Sequence, residues 1–193
     1  MTLTAARAVV LGASWGGVDA SIRILGVLPA DFPLPILLVQ HQRYDAESRL
    51  ATVLTSRTAL PVVAPQDKEP LLPGTVYVAP PGFHMLVESE REIALSCHWQ
   101  VHYSRPSIDE LFISAADVYG SALIGVLLTG ANEDGAAGIE YIHRRGGSTI
   151  VQDPATAEAP AMPEAAIATG CVDYIVPLEE VGHFLSNRVL GQR

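Results

Sequence analysis

Cysteine is nearly absent from this chain, with Cys97 and Cys171 the only two among 193 residues and no C-x-x-C spacing between them. Two such thiols read as small buried apolar residues, and neither is a candidate nucleophile. Basic residues are scarce as well: 12 Lys and Arg stand against 21 Asp and Glu, for a formal net charge of −9. That balance opposes the counterion release on which nucleic-acid affinity depends, and no basic cluster offsets it, so nucleic acid is not an expected partner. An acidic surface is also a common solubility device and says nothing about substrate. No apolar run reaches the roughly 18 residues needed to span a bilayer. The N-terminus lacks the charged start and long apolar centre of a signal peptide, so direct membrane insertion is not expected and the cytoplasm is the default compartment.

The chain does have apolar material, 49% of residues against 17% charged, enough for a sizeable buried sheet. Its length suits one domain, and no linker, repeat or low-complexity tract divides residues 1–193. Short β-rich runs at Ala8–Leu11, Pro35–Val39, Pro61–Ala64, Val76–Ala79, Ala122–Leu128 and Thr149–Gln152 alternate with helix-like segments, the order of a mostly parallel sheet wrapped by helices. The runs Ile36–Val39 and Leu123–Leu128 have no polar alternation, as strands covered on both faces require. Val76–Ala79, Phe83–Val87 and Ile93–Ser96, separated by Pro80-Pro81-Gly82 and by Glu88–Glu92, suggest a small antiparallel β meander in the sheet or at its edge. Helices are expected at Val18–Val27, Glu47–Arg57, Ile108–Tyr119, Gly135–Arg145 and Glu179–Leu190. The third has the clearest start, a capping box of Ser107 and Glu110.

The segment Val9-Val10-Leu11-Gly12-Ala13-Ser14-Trp15-Gly16-Gly17 is a strand running into a Gly-rich turn and then a helix, and it fits G-x-S-x-G. In such a turn small residues lift the serine hydroxyl clear of the sheet, while N–H groups at the helix start face a developing oxyanion. The same backbone also suits phosphate or dinucleotide binding, or a plain turn. Against a dinucleotide, the second strand ends in Gln40-His41 rather than an acidic residue, and Asp31 lies before that strand.

Ligands of an open parallel sheet gather at the carboxyl ends of its strands. Those ends carry Ser14, then Gln40-His41, then the stretch Thr129 to Asp134. A serine hydroxyl needs a base to remove its proton during attack, a role for His41. A carboxylate on the far ring nitrogen would hold the useful tautomer, a role for Asp134. Singly, a histidine at a strand end is more often structural, and an Asp-Gly is commonly a turn or helix cap. Their joint placement with the serine favours an acyl-transfer site. The order Ser, His, Asp and the single strand before Ser14 both depart from an ordinary α/β-hydrolase. His84, His98, His102, His143 and His183 lack that placement, and His143 and His183 fall on expected solvated helix faces.

Several ordered motifs resemble the catalytic domain of the chemotaxis receptor methylesterases, the CheB family, across nearly the whole chain. They are Gly12-Ala13-Ser14-x-Gly16-Gly17, Gln40-His41, Tyr77–His84, Ser104–Asp109, Leu128-Thr129-Gly130 with Asp134–Gly138, Gln152-Asp153 and Met162-Pro163-x-Ala165-Ala166. The resemblance implies an α/β, doubly wound, mostly parallel sheet with helices on both faces. It also implies catalytic residues Ser14, His41 and Asp134, and hydrolysis of glutamyl methyl esters on the cytoplasmic helices of methylated chemoreceptors, with glutamine deamidation as a second activity through the same acyl-enzyme. No metal or cofactor is implied. The oxyanion would lie at the N–H group of Trp15, at the helix start, and by family position at that of Ala131, and Arg105 would either anchor an acidic stretch of receptor or form a structural ion pair. The chain departs from the family pattern at Trp15, at Ala131-Asn132 and at Gln42-Arg43, and Asn132 could keep the loop shape by tolerating positive φ. Family members commonly carry an N-terminal receiver domain, which is not expected here. The departures leave open a related hydrolase of another acyl substrate, or a non-catalytic signalling module of the same fold.

Overall fold

The computed structural model describes residues 5–42, 49–101 and 103–191. Arg43, His102 and the start of the helix expected from Glu47 lie outside the described residues. In chain order the elements are β1 (Ala8–Ala13), α1 (Gly17–Gly26), β2 (Ile36–Gln40), α2 (Leu50–Thr55), β3 (Val62–Val63), β4 (Val76–Val78), β5 (His84–Ser89), β6 (Glu92–Ser96), α3 (Ile108–Tyr119), β7 (Leu123–Leu127), α4 (Ala136–Arg144), β8 (Ser148–Gln152), α5 (Ala161–Ala168), β9 (Tyr174–Val176) and α6 (Leu178–Leu190). Seven strands pair in parallel in the order β3-β4-β2-β1-β7-β8-β9. From β1 the chain crosses to β2, goes out to the edge strand β3 and comes back to lay β4 between β3 and β2, and then places β7, β8 and β9 in turn on the other side of β1. The strand order therefore reverses between β1 and β7.

Every residue of β1, β2 and β7 is buried, which explains their apolar sequences, interrupted only by Gln40 at the end of β2. The pleat still sorts them. Val9, Leu11, Ala13, Ile36 and Leu38 join a core with α1, α2 and α6, whereas Ala8, Val10, Leu37 and Val39 join one with α3, α4, α5 and the hairpin residues Met85 and Ile93. In α3, Ile108, Leu111, Phe112, Ala115, Ala116 and Tyr119 recur at helical spacing and all are buried. Ser107 caps its start, and Gly120 at φ 51° ends it. Phe112 is fully buried, and its replacement by Ala would cost about 3–5 kcal/mol.

The fold class agrees with the sequence reading, with local differences. Val76–Val78 belongs to the parallel sheet, and the antiparallel part is a two-stranded hairpin of β5 and β6 rather than a three-stranded meander. Strand β9 and helix α5 had no clear sequence signal. α5 is short and Ala-rich, with Pro160 and Pro163 at its start, where first-turn N–H groups need no intrahelical partner. The cysteines are not buried: Cys97 is exposed and Cys171 partly so, because both sit in connections outside the strands and helices.

Candidate active site

The turn after β1 is fixed from below by two backbone bonds, Ser14 N–H to the Thr129 carbonyl and Gly17 N–H to the Ser14 carbonyl, each 2.9 Å. Gly16 caps α1 in the left-handed region at φ 77°, and a Cβ there would also come within 2.7 Å of Glu158, so only glycine fits without strain. The Gln40 side chain, buried at the end of β2, donates from Nε2 to the carbonyls of both Ser14 (2.8 Å) and His41 (3.1 Å). One amide thus ties the serine turn to the histidine turn.

The three side chains expected to converge do so. His41 Nδ1 lies 3.2 Å from Ser14 Oγ, and His41 Nε2 lies 2.7 Å from Asp134 Oδ2. With Nε2–H donating to the carboxylate, Nδ1 is left as the acceptor that a serine hydroxyl needs. The His41 side chain is 12% exposed and that of Asp134 is fully buried. Three further donors reach the Asp134 carboxylate: Ser107 Oγ (2.9 Å) and Asp109 N–H (3.0 Å) to Oδ1, and Ile108 N–H (2.7 Å) to Oδ2. Burial alone would raise the Asp134 pKa, but the bonds from His41, Ile108 and Asp109 outweigh it and hold the carboxyl below its ordinary 3.8. The acid is ionised at neutral pH and sits at the N-terminus of α3, where the helix dipole favours an anion.

Sequence reasoning treated Ser107 only as a helix cap and did not single out Asp109. Ser107 accepts from Glu110 N–H as a cap should (3.4 Å), yet it also donates to Asp134. Asp109 Oδ1 accepts the N–H groups of Gly135 (2.9 Å) and Gly138 (2.7 Å) at the start of α4. Each of the two carboxylates therefore caps the helix that carries or adjoins the other. An acidic residue in the first turn of α3 was the available signal, but its partners lie more than twenty residues away.

The loop after β7 is held against the serine. Thr129 Oγ1 donates to the Trp15 carbonyl (2.9 Å), Gly130 N–H bonds the Ala159 carbonyl and Met162 N–H the Gly130 carbonyl. A Cβ at Gly130 would lie 3.0 Å from Ser14 Cβ and 2.4 Å from Met162 Cε. Trp15 and Ala131 are both exposed, and neither backbone N–H has an acceptor among the described residues. The Trp15 indole, 65% exposed, donates to Glu158 (2.8 Å). Asn132 does not use positive φ; its side chain accepts Asp134 N–H (3.3 Å) and shapes the loop that way. Arg105 is half-buried and donates from Nη1 to the carbonyls of Cys97 and His98, both 2.8 Å, so part of its bonding holds the loop after β6. A groove of about 460 Å³ runs between Tyr103, Asn132, Glu133 and the α5 residues Ala161 and Ala165. Among the described residues no cluster of three or more His, Cys, Asp or Glu could hold a metal, and no helix is long and apolar enough to cross a membrane.

Residues 9–185 match the family model of the CheB methylesterases. A Leptospira interrogans chain assigned as a protein-glutamate methylesterase/protein-glutamine glutaminase is 43% identical over 175 residues, 91% of each chain. The protein-glutamate methylesterase/protein-glutamine glutaminase 1 of Carboxydothermus hydrogenoformans is 40% identical over 94% of this chain, and the protein-glutamate methylesterase FrzG of Myxococcus xanthus 39% identical over 90%. This chain spans about half the length of those two relatives, 55% and 52%. The crystal structure of the Thermotoga maritima CheB methylesterase catalytic domain superposes with a TM-score of 0.90 at 33% identity, covering 95% of this chain and 99% of that one.

Proposed function

Because the chain belongs to the CheB methylesterase family, we propose that it is a serine hydrolase that demethylates glutamyl methyl esters on chemoreceptors, with residues 1–193 forming one catalytic domain. The observation that carries this reading is the unbroken chain of hydrogen bonds from Ser14 Oγ through His41 to Asp134.

In this mechanism Ser14 Oγ attacks the ester carbonyl as His41 Nδ1 takes its proton, and Asp134 stabilises the imidazolium through Nε2–H. The negative oxygen of the tetrahedral intermediate is met by the N–H groups of Trp15 and Ala131, a role supported by their having no acceptor among the described residues. Collapse expels methanol, protonated by His41, and leaves a glutamyl-serine ester. Water, deprotonated by His41, then releases glutamate and restores Ser14. A glutamine side chain enters the same sequence with ammonia as the leaving group, in keeping with the paired activities in the relatives' names. The groove beside Asn132 offers room for the polypeptide that bears the ester. Arg105 would act there on an acidic stretch of receptor, while its bonds to Cys97 and His98 set the loop it works from.

The test is methanol release from methyl-labelled receptor by the wild type and by Ser14→Ala. Release by the wild type alone is expected; equal release by both would overturn the proposal. Trp15 in place of a small residue beside the nucleophile favours one second reading, a related hydrolase of a different acyl group. Turnover of small esters without release from any methylated receptor would support that instead.

A further inference from the structure

Behind Asp134 lies a histidine that the mechanism does not use. His84 opens β5, is 1% exposed, and has both ring nitrogens engaged. Its Nδ1 lies 3.2 Å from Ser107 N–H and its Nε2 lies 3.0 Å from the Trp99 carbonyl. An N–H and a carbonyl as partners fix the roles: Nδ1 accepts and Nε2–H donates. In a complete capping box the N-cap N–H would bond the side chain three residues on. Here the N–H of Ser107 goes to His84 instead. Ser107 is the residue whose hydroxyl reaches Asp134 Oδ1, and the next two N–H groups of the same turn, from Ile108 and Asp109, hold the remainder of that carboxylate.

Resting on the reading of Ser14, His41 and Asp134 given above, we propose that His84 is a positioning residue for hydrolysis, its Nδ1 fixing Ser107 and the first turn of α3 so that Asp134 meets His41. Its other bond anchors the loop after β6, which Arg105 also holds at Cys97 and His98 and whose Trp99 side chain is 92% exposed. His84 thereby connects an exposed aromatic loop to the orienting acid.

The two bonds can be separated. An asparagine amide can present its oxygen where Nδ1 stands, keeping the acceptor for Ser107, whereas a glutamine amide can present its NH₂ where Nε2–H stands, keeping only the donor to Trp99. We expect His84→Gln to lower both kcat on a small ester and the rate of Ser14 labelling by a fluorophosphonate by about tenfold, the rate equivalent of one lost net hydrogen bond. Its KM should be unchanged and the acid limb of its pH–rate profile should move to lower pH, because a less well placed carboxylate supports the imidazolium less. His84→Asn should retain both rate and profile. The second readout is a cycle with Asp134→Asn: if His84 acts through Asp134, adding His84→Gln to that variant costs nothing more. If His84→Gln does not fold, His84→Ala, which also lacks the acceptor, takes its place in the cycle. Multiplicative losses, an unshifted profile, or equal rates for the Gln and Asn variants would overturn the proposal. Asp134→Asn with wild-type labelling would instead overturn the underlying reading of the triad, so the two failures are distinguishable.

Discussion

Asp134→Asn gives the sharpest test of the site, because its consequence follows from counting donors. Four donors converge on two carboxylate oxygens: Ser107 Oγ and Asp109 N–H on Oδ1, and Ile108 N–H and His41 Nε2–H on Oδ2. An amide replaces one acceptor by a donor. Placed at Oδ1, its NH₂ opposes the Asp109 N–H, which cannot turn away. Placed at Oδ2, it opposes both the Ile108 N–H and the His41 Nε2–H, and of these only His41 can yield, by moving its proton from Nε2 to Nδ1 and accepting from the amide. That tautomer points an N–H at Ser14 and cannot serve as base. Trapping a triad histidine in the wrong tautomer costs about 10⁴ in kcat, equivalent to about 5 kcal/mol of transition-state stabilisation. The assay is ester turnover by folded variant, with kcat and KM separated. A loss below tenfold would refute the argument. The pH dependence of stability supplies an independent check. The folded-state pKa of Asp134 is depressed below 3.8, so its contribution is fully present above about pH 4 and is lost as pH falls through the lower folded value. Urea denaturation should therefore show a steeper acid loss in the wild type than in Asp134→Asn.

Asp109→Ala leaves the Gly135 and Gly138 N–H groups without their buried acceptor and should lower unfolding free energy in urea by about 2–4 kcal/mol; a change under about 1 kcal/mol would count against the cap. Gly130→Ala drives a Cβ into Met162 and toward Ser14, and the displaced nucleophile should cost about 10²-fold in kcat, whereas an unchanged kcat would show that Met162 alone absorbs the methyl. Trp15→Ser removes an exposed side chain and its bond to Glu158 but keeps the backbone N–H. Stability should stay within about 0.5 kcal/mol, and kcat on a small ester within about threefold, under 1 kcal/mol of barrier.

The parallel sheet was legible because its central strands are buried on both faces and contain long apolar runs, as in Ile36–Val39. The convergence of Ser14, His41 and Asp134 was legible for a related reason: parallel strands release their following residues at one edge, so three strand ends are neighbours before any side chain is considered. Elements whose identity depends on tertiary contact were not. β9 has only Tyr174, Ile175 and Val176 and exists by pairing with β8, and α5 carries no apolar stripe, being held through the Met162 N–H and the burial of Met162 and Ala166. The cysteines defied their composition-based reading because compartment and spacing say nothing about which loop a thiol occupies. At Asn132 the residue type was informative but the mechanism differed, a side-chain acceptor replacing backbone strain.

The cross-capping of α3 and α4 has a consequence for how this site can vary. Asp134 is at once the partner of His41 and the acceptor that satisfies the first N–H groups of α3, while Asp109 performs the same service for the residues that follow Asp134. Neither carboxylate can be removed without stranding buried donors, so the proposed catalysis and helix termination draw on the same bonds. Strain at many active sites weakens the surrounding fold, but here the anion that chemistry requires is also the one the helix dipole favours. Substitutions that loosen the acid should thus lower activity and stability together. Side-chain changes at Trp15, Ala131 or Tyr103, which share none of these bonds and keep the backbone N–H groups, should leave the proposed machinery standing and can redirect which acyl group reaches Ser14.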